Sequence, residues 1–78
     1  MIKEGEKMTQ EVVEFIRRNT TPTERREIAI KHDWGIDILN SVLRRDRNVT
    51  GNTIGMFEEI IDKAKSNLSY DLKLSEMI

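Results

Sequence analysis

The chain has no cysteine, which excludes a disulfide framework and a thiolate metal site. Its one histidine, His32, cannot build a zinc site alone. No apolar run approaches the roughly 18 residues needed to cross a bilayer. The N-terminal stretch MIKEGEKMTQ lacks the apolar centre of a signal peptide. An excess of either charge is also missing. Thirteen lysines and arginines stand against 14 aspartates and glutamates, for a formal net charge of −1. A soluble, cytoplasmic protein with no cofactor and no membrane partner is the expectation.

What remains is short and charge-rich. At 78 residues the chain makes one domain, residues 1–78, with a small core. The charge is unevenly spread. From Thr21 to Asn48 six basic residues meet five acidic ones, for +1; from Val49 onward three lysines meet five carboxylates, for −2. Catalysis has no foothold. His32 falls on the same helical face as Ile28 and Ala29, so it reads as a partly buried histidine at a helix contact. A general base also needs a pocket and a second group. GNTIG, at 51–55, has two glycines but lacks the Lys-Ser/Thr ending of a phosphate loop. The chain does not read as an enzyme.

Helical periodicity runs through the whole sequence, so the fold class expected is all-α, with four to five helices. Thr9 caps a first helix with Val12, Phe15 and Ile16 as its stripe, preceded by Met8 and ending at Arg17–Arg18. TPTE is the strongest local start signal. Thr21 caps, Pro22 takes the first helical position, and Glu24 reaches back to complete a capping box. Ile28, Ala29 and His32 form the inner face of that second helix. Asp33, Trp34 and Gly35 read as a tight turn. A third helix follows, with Leu39, Val42 and Leu43 inward. Thr50 or Asn52 caps a fourth, with Ile54, Phe57, Ile60, Ile61, Ala64 and Leu68 inward and an end near Asn67. Residues 1–8 form a flexible N-terminus. The tail, 69–78, is a short helix, a dimer contact or disordered; its Tyr70, Leu72 and Leu74 alternate like a strand, whereas Tyr70, Leu74, Met77 and Ile78 suit a helix.

The spacing of Ile28, Ala29, Trp34, Gly35, Leu39 and Val42 is that of a helix-turn-helix, whose first helix braces a second that lies in the major groove. From Arg25 to Lys65 the chain resembles lambda-repressor-like DNA-binding domains, including the lac-repressor headpiece group. The resemblance is carried by "IA" at 28–29, "WG" at 34–35, "VL" at 42–43 and "NVT" at 48–50. It implies sequence-specific binding of double-stranded DNA by a small transcriptional regulator, of the kind carried by bacteria and their mobile elements. It also implies roles. Arg25 contacts phosphate or a base near the groove edge, and Gly35 lets the backbone approach. Ile36, Asp37 and Ser41 occupy base-reading places, with Asn40 and Arg44 alongside. Arg45, Arg47 and Asn48 lie along phosphates, and the amides near Thr50 to Asn52 hold another. The family usually has glycine where Asp33 stands and a small apolar residue where His32 stands. Isoleucine and aspartate are uncommon on its reading face. An isoleucine can touch a thymine methyl and an aspartate can accept from cytosine N4.

Two partner surfaces are also expected. Leu72, Leu74, Met77 and Ile78 suggest a homodimer through the C-terminal tail. A different class of function, a protein–protein interaction module with no DNA binding, would use Ile30, Ile36 and Ile38 as its patch, with Asp37 repelling DNA.

Overall fold

Thr9 Oγ1 accepts the Val12 N–H at 3.3 Å and so starts α1 (Gln10–Asn19). The computed structural model describes residues 1–77; Ile78, placed by the sequence on the tail stripe, lies outside the described residues. Helix α2 (Pro22–Lys31) begins with the full capping box. Glu24 N–H donates to Thr21 Oγ1 (3.1 Å) while Thr21 N–H donates to Glu24 Oε1 (2.9 Å). Helix α3 (Ile36–Leu43) follows a sharp corner, and α4 (Ile54–Met77) is the last and longest element. The described residues contain four helices and no strand.

The corners at the two ends of α3 share one chemistry. After α2, Trp34 N–H donates to Ala29 O (2.9 Å) and Asp33 N–H to Ile30 O (3.0 Å). After α3, Asp46 N–H donates to Ser41 O (2.9 Å) and Arg45 N–H to Val42 O (3.0 Å). Both are Schellman closures, which require a left-handed residue just beyond the helix. Asp33 (φ 61°) and Arg45 (φ 64°) fill those places, although neither is glycine. Aspartate adopts this conformation more readily than most residues. Arginine does not, and the Arg45 Nε donation to Met8 O (2.8 Å) offsets part of the strain.

The core is a single cluster. Met8, Val13 and Ile16 from the N-terminal side meet Leu39, Val42 and Leu43 of α3, Val49, and Met56, Phe57 and Ile60 of α4. Phe15, Trp34 and Ile54 pack against its edge. Val13, Val49 and Met56 join it unannounced by the stripes read from the sequence. The N-terminal segment is tied down: Gly5 N–H donates to Val49 O (2.7 Å) and Val49 N–H to Glu6 O (2.8 Å).

One expected boundary is absent. Helix α4 does not end near Asn67 but runs unbroken for 24 residues. Asn67 is spent differently, its Nδ2 donating to Asn19 O (2.8 Å) and so fastening α4 to the end of α1. The stretch from Ser69 to Met77 contains neither glycine nor proline, and it simply propagates an existing helix, which adds one hydrogen bond per residue without a new nucleus.

Two carboxyls have pKa values held below the usual glutamate range. For Glu24 the leading cause is the Thr21 backbone N–H, followed by the Asn67 side-chain amide. For Glu59 it is the hydrogen bond with His32 (Nε2 to Oε1, 3.0 Å), then Lys31 Nζ (3.1 Å). A carboxyl lowered in the folded chain stabilises the fold at pH above the ordinary carboxylate range. That contribution is lost as pH falls through the lowered folded value. The melting temperature should therefore hold from about pH 7 to about pH 5 and drop below that. Glu24→Gln should flatten the drop. Thermal unfolding followed by circular dichroism across pH checks this; a parent melting temperature unchanged down to about pH 2 would contradict it.

Candidate nucleic-acid interface

Helix α3 is eight residues long, and its fold-forming side is narrow: Leu39, Val42 and Leu43 are 0–2 % exposed. At 3.6 residues per turn, the opposite side presents Asp37, Ser41 and Arg44, with Asn40 beside them. Asp37, Asn40 and Arg44 are exposed and Ser41 is half-buried. The side chains of Asp37, Asn40 and Ser41 make no hydrogen bond in the described residues. Ile36 is 38 % exposed at the start of the helix. The surface is not covered by the tail, since every residue of α4 from Leu68 to Met77 is itself exposed.

Gly35 is the N-cap of α3, with φ −72° and no side-chain cap. That φ suits any residue, and a Cβ added there meets nothing within 4 Å. The fold thus makes no demand for glycine at this position, whose cap would be better served by serine or aspartate.

The basic residues divide into three kinds. Arg44 and Arg47 are exposed; Arg44 Nε reaches only Asp46 Oδ2 (3.2 Å), and Arg47 makes no hydrogen bond or ion pair among the described residues. Arg45 carries the left-handed corner and the bond to Met8. Arg25 is turned inward, 9 % exposed, with Nη1 donating to Thr20 O (2.9 Å) and Thr20 Oγ1 (3.0 Å). Burial pushes its pKa down, as does the nearby Arg17 charge, while Glu24 pulls it up. An arginine still keeps its charge. Its first task is to hold the α1–α2 corner.

Arg25 and the exposed Arg26 line a shallow groove of about 100 Å³ with Pro22, Ile36, Leu39 and Asn40. Arg26 was not singled out in the sequence. It follows Arg25 in the chain, and only the packing of α2 on α3 sets it beside Ile36.

Behind α3, the loop 44–53 brings the remaining candidates together. Asn48 Nδ2 donates to Gly5 O (3.1 Å). Thr50 N–H donates to Thr53 Oγ1 (3.0 Å) and Thr53 N–H to Thr50 Oγ1 (3.3 Å), a reciprocal cap of the turn that leads into α4. Thr50, rather than Asn52, is therefore the capping residue, and Asn52 is left exposed.

No family model, curated protein or solved structure matches this chain. The surface must speak for itself. Among the described residues no group of three or more histidines or carboxylates is placed to hold a metal ion, and no helix is long and apolar enough to cross a membrane. The arrangement offers a short helix with a polar outer side, flanked by Arg26 at one end and Arg44 and Arg47 at the other.

Proposed function

We propose that this chain is a small, lambda-repressor-like helix-turn-helix protein that binds double-stranded DNA, with α3 in the major groove. The observation that carries the reading is the outer side of α3. Asp37, Asn40 and Arg44 are exposed and Ser41 is half-buried, their side chains free of intrachain hydrogen bonds among the described residues apart from the Arg44–Asp46 pair, and the helix runs between two left-handed corners. Asn40 suits adenine, Asp37 cytosine N4, and Ile36 a thymine methyl. Arg26, Arg44 and Arg47 supply the phosphate contacts that set register without reading sequence. Gly35, whose side chain is not missed by the fold, lets the backbone come close to a phosphate.

A second copy fits this function. One short reading helix covers few base pairs, and helix-turn-helix domains commonly pair on two-fold sites. The C-terminal turns of α4 expose Leu68, Tyr70, Leu72, Leu74 and Met77, and we place the partner copy there.

Titration of the chain onto random duplex at several salt concentrations tests the reading. Affinity should fall with salt by about 0.9 log units per log unit of salt for each phosphate neutralised. Selection of bound sequences from a random pool should return a paired half-site. Salt-independent binding, or none, would favour a protein partner on the exposed Ile30 (65 % exposed) and Ile36.

A further inference from the structure

Arg25 is a buried cation without a counter-ion. It is 9 % exposed, and among the described residues no carboxylate forms an ion pair with it. Glu24, its neighbour in the chain, is committed elsewhere. It accepts from Thr21 N–H (2.9 Å) and Asn67 Nδ2 (3.2 Å) and pairs with Lys63 Nζ (3.5 Å). Burial opposes the charged form of Arg25, and the Arg17 charge adds to that. A charge taken out of water costs free energy unless an opposite charge meets it. The guanidinium is also only half used. Nη1 donates to Thr20 O and Thr20 Oγ1, while Nε and Nη2 make no hydrogen bond among the described residues. No fully buried side-chain nitrogen there lacks a partner, so these two keep an opening to solvent. That opening is the groove of about 100 Å³ between α2 and α3. Its other walls are Pro22, Arg26, Ile36, Leu39 and Asn40: a second arginine, an amide and no carboxylate.

We infer that the groove between α2 and α3 is a site for one phosphate group, held by Arg25 and Arg26. Pockets for whole small molecules run to about 300–1,000 Å³, so this one takes a single group and leaves the rest of its ligand outside. Nε and Nη2 form one edge of the planar guanidinium fork, which matches two oxygens of an oxyanion. A carboxylate would spend both its oxygens there. A phosphate brings a third, and the exposed Arg26 on the same groove is placed to meet it. The bonds of Nη1 to Thr20 fix the fork in advance, so little side-chain freedom is lost on binding. The inference does not need the DNA reading, because it starts from an uncompensated charge. The same group is offered by a duplex backbone and by a free phosphorylated solute.

The test uses the full chain, isotope-labelled for NMR, with sodium phosphate as the probe and sodium chloride at matched ionic strength as the control. The Arg25 Nε–H signal should shift and saturate with phosphate, half-way at about 1–10 mM, and should not do so with chloride. Arg26→Ala should weaken phosphate binding by about two- to fivefold. Lys73→Ala, on the exposed far turns of α4, should leave it unchanged. Arg25→Lys keeps the charge without the fork and should abolish saturation; if that chain does not fold, Arg26→Ala decides. No saturation, an equal shift with chloride, or parental affinity in Arg26→Ala overturns the inference. Competition then names the source. Phosphate that weakens duplex binding more than chloride does puts a DNA backbone phosphate in the groove, and duplex binding indifferent to it leaves the groove to a free phosphorylated solute. Phosphate held at Arg25 by a chain that binds no duplex ends the DNA reading alone. Duplex binding with no saturable phosphate site ends this inference alone.

Discussion

Replacing Arg44 and Arg47 together with alanine is expected to weaken binding to random duplex by about ten- to a hundredfold at low salt, and to lower the salt slope by about two. The expectation follows from what these side chains do not do. Arg47 has no partner among the described residues, and Arg44 has only the exposed Asp46. An exposed pair of that kind contributes at most about 1 kcal/mol, so the fold should hardly notice the change. Their charges flank the end of α3, where a duplex backbone passes if the helix lies in the groove. Arg25→Ala serves as the contrast. Its removal leaves Thr20 O and Thr20 Oγ1 without their buried donor, which costs about 1–3 kcal/mol of stability. A binding loss in that variant would report a loosened α1–α2 corner as much as a missing contact. Affinity unchanged in the Arg44/Arg47 double variant would count against α3 as a DNA-facing helix.

Phe57→Ala is expected to remove roughly a quarter or more of the stability of the fold. Phe57 is the largest of the fully buried side chains, with 0 % exposure, and it sits on α4, the element that packs on both α1 and α2. Truncating a buried phenylalanine to alanine costs about 3–5 kcal/mol. At roughly 0.05–0.15 kcal/mol per residue, a chain of 78 residues has about 4–12 kcal/mol in total. Roughly a quarter or more of the stability therefore goes with the cavity, and at the lower end of that range nothing is left. Phe57→Leu keeps most of the volume and should lose far less, with a cooperative transition retained. Urea unfolding of the two variants separates the outcomes. A Phe57→Ala chain as stable as the parent would mean that the core is not centred on this ring.

The contrast between legible and hidden features follows from range. The Thr9 cap, the TPTE capping box, the Asp33–Gly35 corner and the inner side of α3 depend on residues a few positions apart, and all stand in the structure as the sequence suggests. Asp33 takes up the left-handed conformation that glycine would supply. The tail was harder. Tyr70, Leu72 and Leu74 alternate with period two, and Ser69 resembles a cap, but a strand needs a partner and α4 was already nucleated. Long-range features left no local trace. Nothing near Gly5 signals its pairing with Val49, and nothing in TERRE distinguishes the inward Arg25 from the outward Arg26. For the candidate interface, the sequence marked α3 and its basic flank, but it could not show that Asn48 and Arg45 were already engaged by the chain itself.

The two left-handed corners, Asp33 and Arg45, make α3 something like an exchangeable cartridge. Each corner is closed by main-chain bonds, and the helix between them buries only three side chains, Leu39, Val42 and Leu43. Three of the eight positions in that helix, Ile36, Asp37 and Asn40, are exposed and open to mutation at little cost to folding. Descendants of such a chain can change what the helix touches, one residue at a time, while inheriting the same scaffold.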